Sequence, residues 1–168
     1  VISLDPFITD KVEVLFGPGA ITYGSDAIGG VMNFNTKNPT LSKTDTSFFV
    51  EGNAAIRSST ANSEISSHLD FSFGSSKWGF LSSFSRTDYG DLKMGVNGPG
   101  DYLRDSLVIQ QSNQDFIAAN SDHLVQAPTN YSQTNLMQKF LFHPNKNLRI
   151  SYAFHFSETS DFDRYDRL

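Results

Sequence analysis

Three aspartates, Asp161, Asp163 and Asp166, stand near the end of the chain at a spacing that brings calcium to mind. A calcium loop needs a glycine at its sharp turn and a distal bidentate glutamate. Neither accompanies these residues, so they read as a solvated loop. Four histidines, His68, His123, His143 and His155, are scattered. His68 and His155 fall on expected wet faces of strands, and His123 and His143 fall in expected turns or loops. Such placement does not build a metal centre. Gly17-Pro18-Gly19 lacks the third glycine of a dinucleotide fingerprint. Gly24 to Gly29-Gly30 has the span of a phosphate loop but no Lys-Ser/Thr after it. Serine and aspartate are too common here for spacing to assign a Ser–His–Asp set. No catalytic residue, metal or cofactor is expected, and the chain does not read as an enzyme.

The 168 residues are enough for one domain with a core. Val1 in place of a methionine suggests an excised piece of a longer chain. The net charge of −5, with dispersed Lys and Arg, argues against a nucleic-acid surface. There is no cysteine, so disulfides and thiolate metal sites are excluded. No apolar run approaches the ~18 residues of a spanning helix, but spanning strands alternate and never show such a run.

Alternation dominates the chain. Phe48, Val50, Gly52, Ala54 and Ile56 form one apolar or small face against Glu51, Asn53 and Arg57. Ile65, Leu69, Phe71 and Phe73 oppose Glu64, Ser66, His68, Asp70 and Ser72. Trp78, Phe80 and Phe84 oppose Gly79, Ser83, Ser85 and Thr87, with Leu81 breaking the pattern. Leu136, Phe140 and Phe142 share a face with Gln138 in a fourth, less regular run. Leu148, Ile150, Tyr152, Phe154 and Phe156 oppose Arg149, Ser151, Ala153, His155 and Ser157. Each run implies a strand with one dry and one wet face. Turns are expected at residues 74–76 and 144–147, and a long polar loop at about residues 89–130. Tight turns at one end and a long loop at the other suit an outer-membrane barrel, as does an aromatic dry face ending in interfacial girdles.

The segment Lys11-Val12-Glu13-Val14-Leu15-Phe16-Gly17-Pro18-Gly19, followed by Tyr23-Gly24-Ser25-Asp26-Ala27-Ile28-Gly29-Gly30-Val31-Met32-Asn33-Phe34, closely resembles the end of the plug domain of TonB-dependent outer-membrane receptors. The family's pattern is V-E-V-L, then G-P, then Y-G, then A-I-G-G-V-I-N. Residues 131–136, 152–157 and 163–168 are similar to early barrel segments of Bacteroidota-type receptors. The resemblance implies an all-β fragment: the C-terminal part of a plug over residues 1–40, then about five strands of a transmembrane antiparallel barrel over residues 41–168. Gly17, Pro18, Gly19, Tyr23, Gly24, Asp26, Gly29 and Gly30 become structural plug positions. Gly29 and Gly30 are expected in a crowded turn, because glycine tolerates positive φ and close backbone approach. Many family members carry arginine where Phe16 stands, and that arginine helps hold the plug by charge pairing. The electrostatic latch therefore does not carry over to this chain.

The function implied is energised uptake of a scarce ligand (iron-siderophore, haem, cobalamin, peptide or glycan) across the bacterial outer membrane, without covalent chemistry. Tyr102, Phe116 and His123 are the ligand-contact candidates in the long loop, read as extracellular. The implied partners are the TonB energy-transducing complex, contacting a site upstream of Val1, outer-membrane lipid, the small or oligomeric ligand, and a lipoprotein lid where the cargo is glycan or peptide. The residues also allow a soluble β-sandwich, a carbohydrate-binding or adhesive module with the aromatic side chains as core and stacking platforms.

Overall fold

The computed structural model describes residues 4–25, 27–44, 47–112 and 114–162. The chain is all-β. Its strands are β1 (Thr9–Leu15), β2 (Val31–Thr36), β3 (Phe49–Ser59), β4 (Glu64–Gly74), β5 (Trp78–Tyr89), β6 (Leu92–Lys93), β7 (Ser106–Gln111), β8 (Gln114–Ala119), β9 (Val125–Gln126), β10 (Tyr131–Asn145) and β11 (Leu148–Thr159). The five long alternating strands form one sheet in the order β11-β10-β5-β4-β3, so strands adjacent along the chain are adjacent in space. Three two-stranded sheets, β1-β2, β6-β9 and β7-β8, accompany it.

The chain divides into two compact units, and the long strands contribute to both. One comprises Val1–Gly52, Phe71–Ser83 and Met137–Phe154. In it β1 pairs antiparallel with β2, with Val12 opposite Phe34 and Leu15 opposite Val31. Gly17-Pro18-Gly19 does not make a simple turn. It opens a seven-residue 3-10 helix, Gly17–Tyr23, with proline near its start, where a missing N–H costs nothing. A second short helix covers Ala27–Gly29. The hairpin between β4 and β5 is closed by Ser75 N donating to the Trp78 carbonyl at 2.8 Å.

The turn expected at residues 144–147 is shorter than its Pro-Asn signal. β10 runs on to Asn145 because His143 N still reaches the Lys77 carbonyl at 2.6 Å. His143 is therefore a strand residue rather than a turn residue. Asn145 Oδ1 then accepts from Asn147 N at 3.0 Å and closes the reversal.

The other unit comprises Asn53–Asp70, Phe84–Leu136 and His155–Leu168. Here the segment expected as a long loop has structure of its own. β7 and β8 form a hairpin in which Ile109 faces Phe116. β6 and β9 pair through Leu92 with Gln126 and Lys93 with Val125. The sequence hid this because two-residue strands carry no period, and the Gly and Pro residues around them signal only breaks.

Burial in the long strands is inverted relative to a soluble sheet. On β4, Glu64, Ser66, His68, Asp70 and Ser72 are buried, while Ile65, Leu69 and Phe71 are exposed. On β5, Ser83, Ser85 and Thr87 are buried and Phe84 is exposed. β10 buries Gln133 and Asn135, and its outward Phe140 is exposed. β11 lies at one edge of the sheet and exposes both of its faces, His155 as well as Phe154. At the other edge, β3 is exposed along most of its length.

Candidate functional site

Buried polar groups need partners, and the inward face supplies them. Glu64 Oε1 accepts from Ser66 Oγ at 2.7 Å and from Arg57 Nε at 2.9 Å, and Arg57 Nη2 completes the fork. Thr87 Oγ1 donates to Ser66 Oγ at 3.1 Å. His68 Nδ1 lies 2.7 Å from Ser85 Oγ, and its Nε2 lies 3.0 Å from Asp70 Oδ2. Asn53 Nδ2 donates to the other Asp70 oxygen at 2.8 Å. Further along, Ser157 Oγ donates to Asn135 Oδ1 at 2.7 Å and accepts from Gln133 Nε2 at 3.3 Å.

The structure thus brings together a serine, a histidine and an aspartate that spacing alone left unassigned. Their line is not a nucleophilic centre. Ser85 is 1% exposed, so an acyl group has no approach to its hydroxyl. The set reads as a cross-strand hydrogen-bonded wall. Among the described residues, no group of three His, Asp or Glu side chains could hold a metal ion. Asp163 and Asp166 lie outside the described residues.

A second feature lies at the turn end of the sheet. Leu81, which breaks the alternation of β5, is 3% exposed and clusters with Met137 of β10 and Ile8. An apolar patch on the polar face is therefore the seat of the amino-terminal segment. The following stretch of that segment is held by polar contacts. Lys139 Nζ donates to the carbonyls of Thr36 at 2.9 Å and Lys37 at 2.8 Å, and to Asn38 Oδ1 at 3.3 Å. Thr40 N donates to Ser72 Oγ and Ser42 N to the Ser75 carbonyl. Gly79 is required here: a Cβ on it would meet Pro39 Cβ at 2.9 Å and Leu41 Cδ2 at 3.0 Å. Sequence reasoning missed Lys139. Its signal was a lone cation on the same strand face as Met137 and Leu141.

The expected plug glycines separate into distinct cases. Gly30 has φ +132°, and an added Cβ would lie 2.8 Å from the Leu15 carbonyl oxygen, so both conformation and space demand glycine. Gly17 and Gly24 have positive φ in open space. Gly19 and Gly29 meet neither condition, which corrects the expectation that Gly29 is crowded. The crowding comes from β1 pairing with β2, and only Gly30 abuts the end of that ladder. Pro18 lies in the first turn of the Gly17–Tyr23 helix, and Tyr23 ends it, 59% exposed. Phe16 is 77% exposed. Asp26 lies outside the described residues.

The three loop candidates do not converge on one spot. Tyr102 lines a cleft of about 440 Å³ beside Leu92, Lys93 and Arg104. His123 stands outside that lining, with Nδ1 2.6 Å from Asp105 Oδ1. Phe116 belongs to the β7-β8 hairpin, half-exposed. The Lys93 ammonium donates to Asp122 Oδ2 at 2.7 Å. That bond, with the Leu124 N–H on the same carboxyl, holds Asp122 below its ordinary carboxylate range.

The aromatic side chains also divide. Trp78, Phe73, Phe48, Phe71 and Phe80 form edge and tilted contacts, with Trp78–Phe73 centroids at 5.7 Å, at the turn end of the strands. At the loop end, Tyr89 and Tyr131 stack at 4.5 Å, but they share strand faces with the inward Thr87 and Gln133. On the dry face the aromatic side chains cluster at the turn end only. At the other end the outward face turns polar, where Arg86 pairs with Asp88 and donates to Thr134 Oγ1.

No protein-family model matches the chain, and neither a curated protein nor a solved structure matches it.

Proposed function

We propose that the chain is part of a TonB-dependent outer-membrane receptor, carrying the end of the plug and the first strands of the barrel, and that it serves energised uptake of a scarce ligand. The observation that carries this reading is the inverted sheet. Ile65, Leu69, Phe71, Phe84 and Phe140 are all 39% exposed or more, on β4, β5 and β10, where the alternate polar residues are largely buried, and Leu148, Ile150, Phe154 and Phe156 are as exposed on the edge strand β11. Full burial of each such side chain is worth ~1.5–3 kcal/mol. Leaving them half in water forfeits on the order of 10 kcal/mol, comparable to the whole stability of a domain. A soluble sandwich would bury them against a second sheet. Lipid recovers the same energy without one. From Leu148 to Phe156 the outward run measures roughly 26 Å along the strand at ~3.3 Å per residue, or roughly 20 Å once tilted, enough to cross most of a ~25 Å apolar band.

The plug reading rests on the glycine-rich motif and on the contacts at the two ends of the β1-β2 hairpin, Ile8 with Leu81 and Met137 before it and Thr36, Lys37 and Asn38 with Lys139 at its close. In this reading Lys139 supplies the hold that Phe16 cannot, and the inward hydrogen-bonded face lines the lumen. The test is fractionation of cells making the protein that carries this chain. It should float with the outer membrane and need detergent for extraction. Recovery in the soluble fraction without detergent would replace this reading with the soluble sandwich.

A further inference from the structure

We propose that the turn end of the five-stranded sheet is a docking surface for an anionic phospholipid leaflet, with Lys43, Lys77, Lys146 and Arg149 meeting the headgroup phosphates. The inference rests on the receptor reading for placing the strands in a membrane, but the charge arrangement stands by itself. Residues 71–83 and 137–154 carry the turn-end parts of β4, β5, β10 and β11. They hold Lys77, Lys139, Lys146 and Arg149 and no Asp or Glu, in a chain of net charge −5.

The turns bring the cations to one rim. His143 N donates to the Lys77 carbonyl at 2.6 Å, so the turn carrying Lys77 lies beside the end of β10, and Lys146 and Arg149 follow across the next turn. Ser42 N donates to the Ser75 carbonyl at 3.1 Å and sets Lys43 beside the first of these turns. Lys43, Lys77, Lys146 and Arg149 are all exposed, and among the described residues none of them is in an ion pair. The described cations of the other unit are engaged: Arg57 with Glu64, Arg86 with Asp88 and Lys93 with Asp122, while Arg104 has a partner of its own. Uncommitted positive charge is thus confined to the turn end.

The cations are strung along two turns rather than gathered round a cavity, which fits a surface of many phosphates better than a single ligand. The adjoining side chains are aromatic. Trp78, next to Lys77, meets Phe73 and Phe48 edge-on, with centroids at 5.7 and 6.1 Å. Phe48 and Phe71 of that band are exposed. The occupant therefore has an apolar layer behind its anionic one, as a leaflet has and an acidic protein surface has not. Aromatic rings settle at headgroup level, and Lys and Arg reach the phosphates on long apolar stems.

The experiment folds the purified protein that carries this chain into vesicles of phosphatidylcholine alone, and into vesicles with about one third phosphatidylglycerol, and compares folding equilibrium constants from urea titrations at low salt. One Lys or Arg near an anionic surface is worth about fivefold, so phosphatidylglycerol should raise the constant by at least about tenfold. Salt at about 0.5 M should remove the gain. A variant with Lys43→Gln, Lys77→Gln, Lys146→Gln and Arg149→Gln should lose the gain and keep the phosphatidylcholine value, which shows that it still folds. Lys93→Gln, at the loop end, should keep the gain. Equal constants in the two lipids, or a fourfold variant that keeps the gain, would overturn the proposal and leave the receptor reading. Loss of the gain to inorganic phosphate at constant ionic strength would replace the leaflet with a discrete phosphate site. Neither entry into nor binding to either vesicle would overturn both readings. Salt-reversible binding to the anionic vesicles by protein that stays soluble without detergent would keep the basic surface and remove the receptor reading.

Discussion

The Lys139 ammonium lies 2.8 Å from the Lys37 carbonyl oxygen, a contact between β10 and a residue 102 positions earlier in the chain. With its bonds to Thr36 and Asn38 it gathers three acceptors at the end of β2. Hydrogen bonds to a charged donor are worth ~1.5–3 kcal/mol. Lys139→Met keeps much of the stem's apolar contact and removes the donors. It should loosen residues 31–42 while leaving the five-stranded sheet intact. Amide exchange there should speed up by roughly tenfold or more, against unchanged protection in β4 and β5. Uniform loss of protection across both regions would show that Lys139 supports the whole fold rather than this attachment.

Gly30 and Gly29 give a paired test. Gly30→Ala places a Cβ 2.8 Å from the Leu15 carbonyl oxygen at φ +132°. Overpacking costs ~1–3 kcal/mol before the backbone strain is added. Gly29→Ala meets open space and should cost well under 1 kcal/mol. Denaturation midpoints of the two variants, read from a probe in β1, settle the contrast. Comparable losses would mean that the helix Ala27–Gly29 constrains the turn more than the end of the β1-β2 ladder does.

Much of this was legible in the sequence because period-2 alternation is a local signal. Ile65 to Phe73 and Leu148 to Phe156 declare strands and faces without reference to any neighbour. What was not legible depends on distance along the chain. Leu81 broke the alternation of β5, and only its meeting with Ile8 and Met137 explains why. Lys139 looked like any strand cation until its acceptors arrived from residues 36–38. The two-residue strands β6 and β9 have no period to detect, so the cleft they floor stayed hidden inside an expected loop. Tyr89 and Tyr131 lie at strand ends as girdle residues do, yet their shared positions with Thr87 and Gln133 put them on the inward face.

Acid should open the β6-β9 region in a narrow range. Asp122 is held below the ordinary carboxylate range by its bond from Lys93 and then by the Leu124 N–H. A folded pKa below the unfolded value, ~3.9, means that the stabilisation is fully present above that value. It is lost as pH falls through the folded pKa. Protection at Met94 N relative to its intrinsic exchange rate at each pH should therefore be flat from neutral pH down to about 4 and fall only below it, because this N–H donates to the Leu124 carbonyl. Asp122→Asn should raise exchange at all these pH values and remove the acid step. A step well above pH 4, or one that persists in Asp122→Asn, would mean that Asp122 does not control this region.

The membrane reading requires one face of β11 to meet lipid, and adjacent residues test it. Phe154 and His155 are both exposed on an edge strand, so burial does not distinguish them. Parity does: Phe154 continues the outward series of Leu148, Ile150 and Tyr152, and His155 continues the inward series that includes Ser157, which bonds to Asn135. If the outward series meets lipid, Phe154→Arg places a cation in the apolar band and should cost ~2–4 kcal/mol near the midplane. His155→Arg places the same cation on the wet side and should cost less than about 1 kcal/mol. The measurement is reversible folding of the protein into phosphatidylcholine vesicles, with urea midpoints compared at matched lipid. The same substitutions in detergent-free buffer give the control, because a lipid-facing position shows its penalty only where lipid is present. Equal penalties for the two arginines in vesicles would mean that neither face of β11 is turned to lipid.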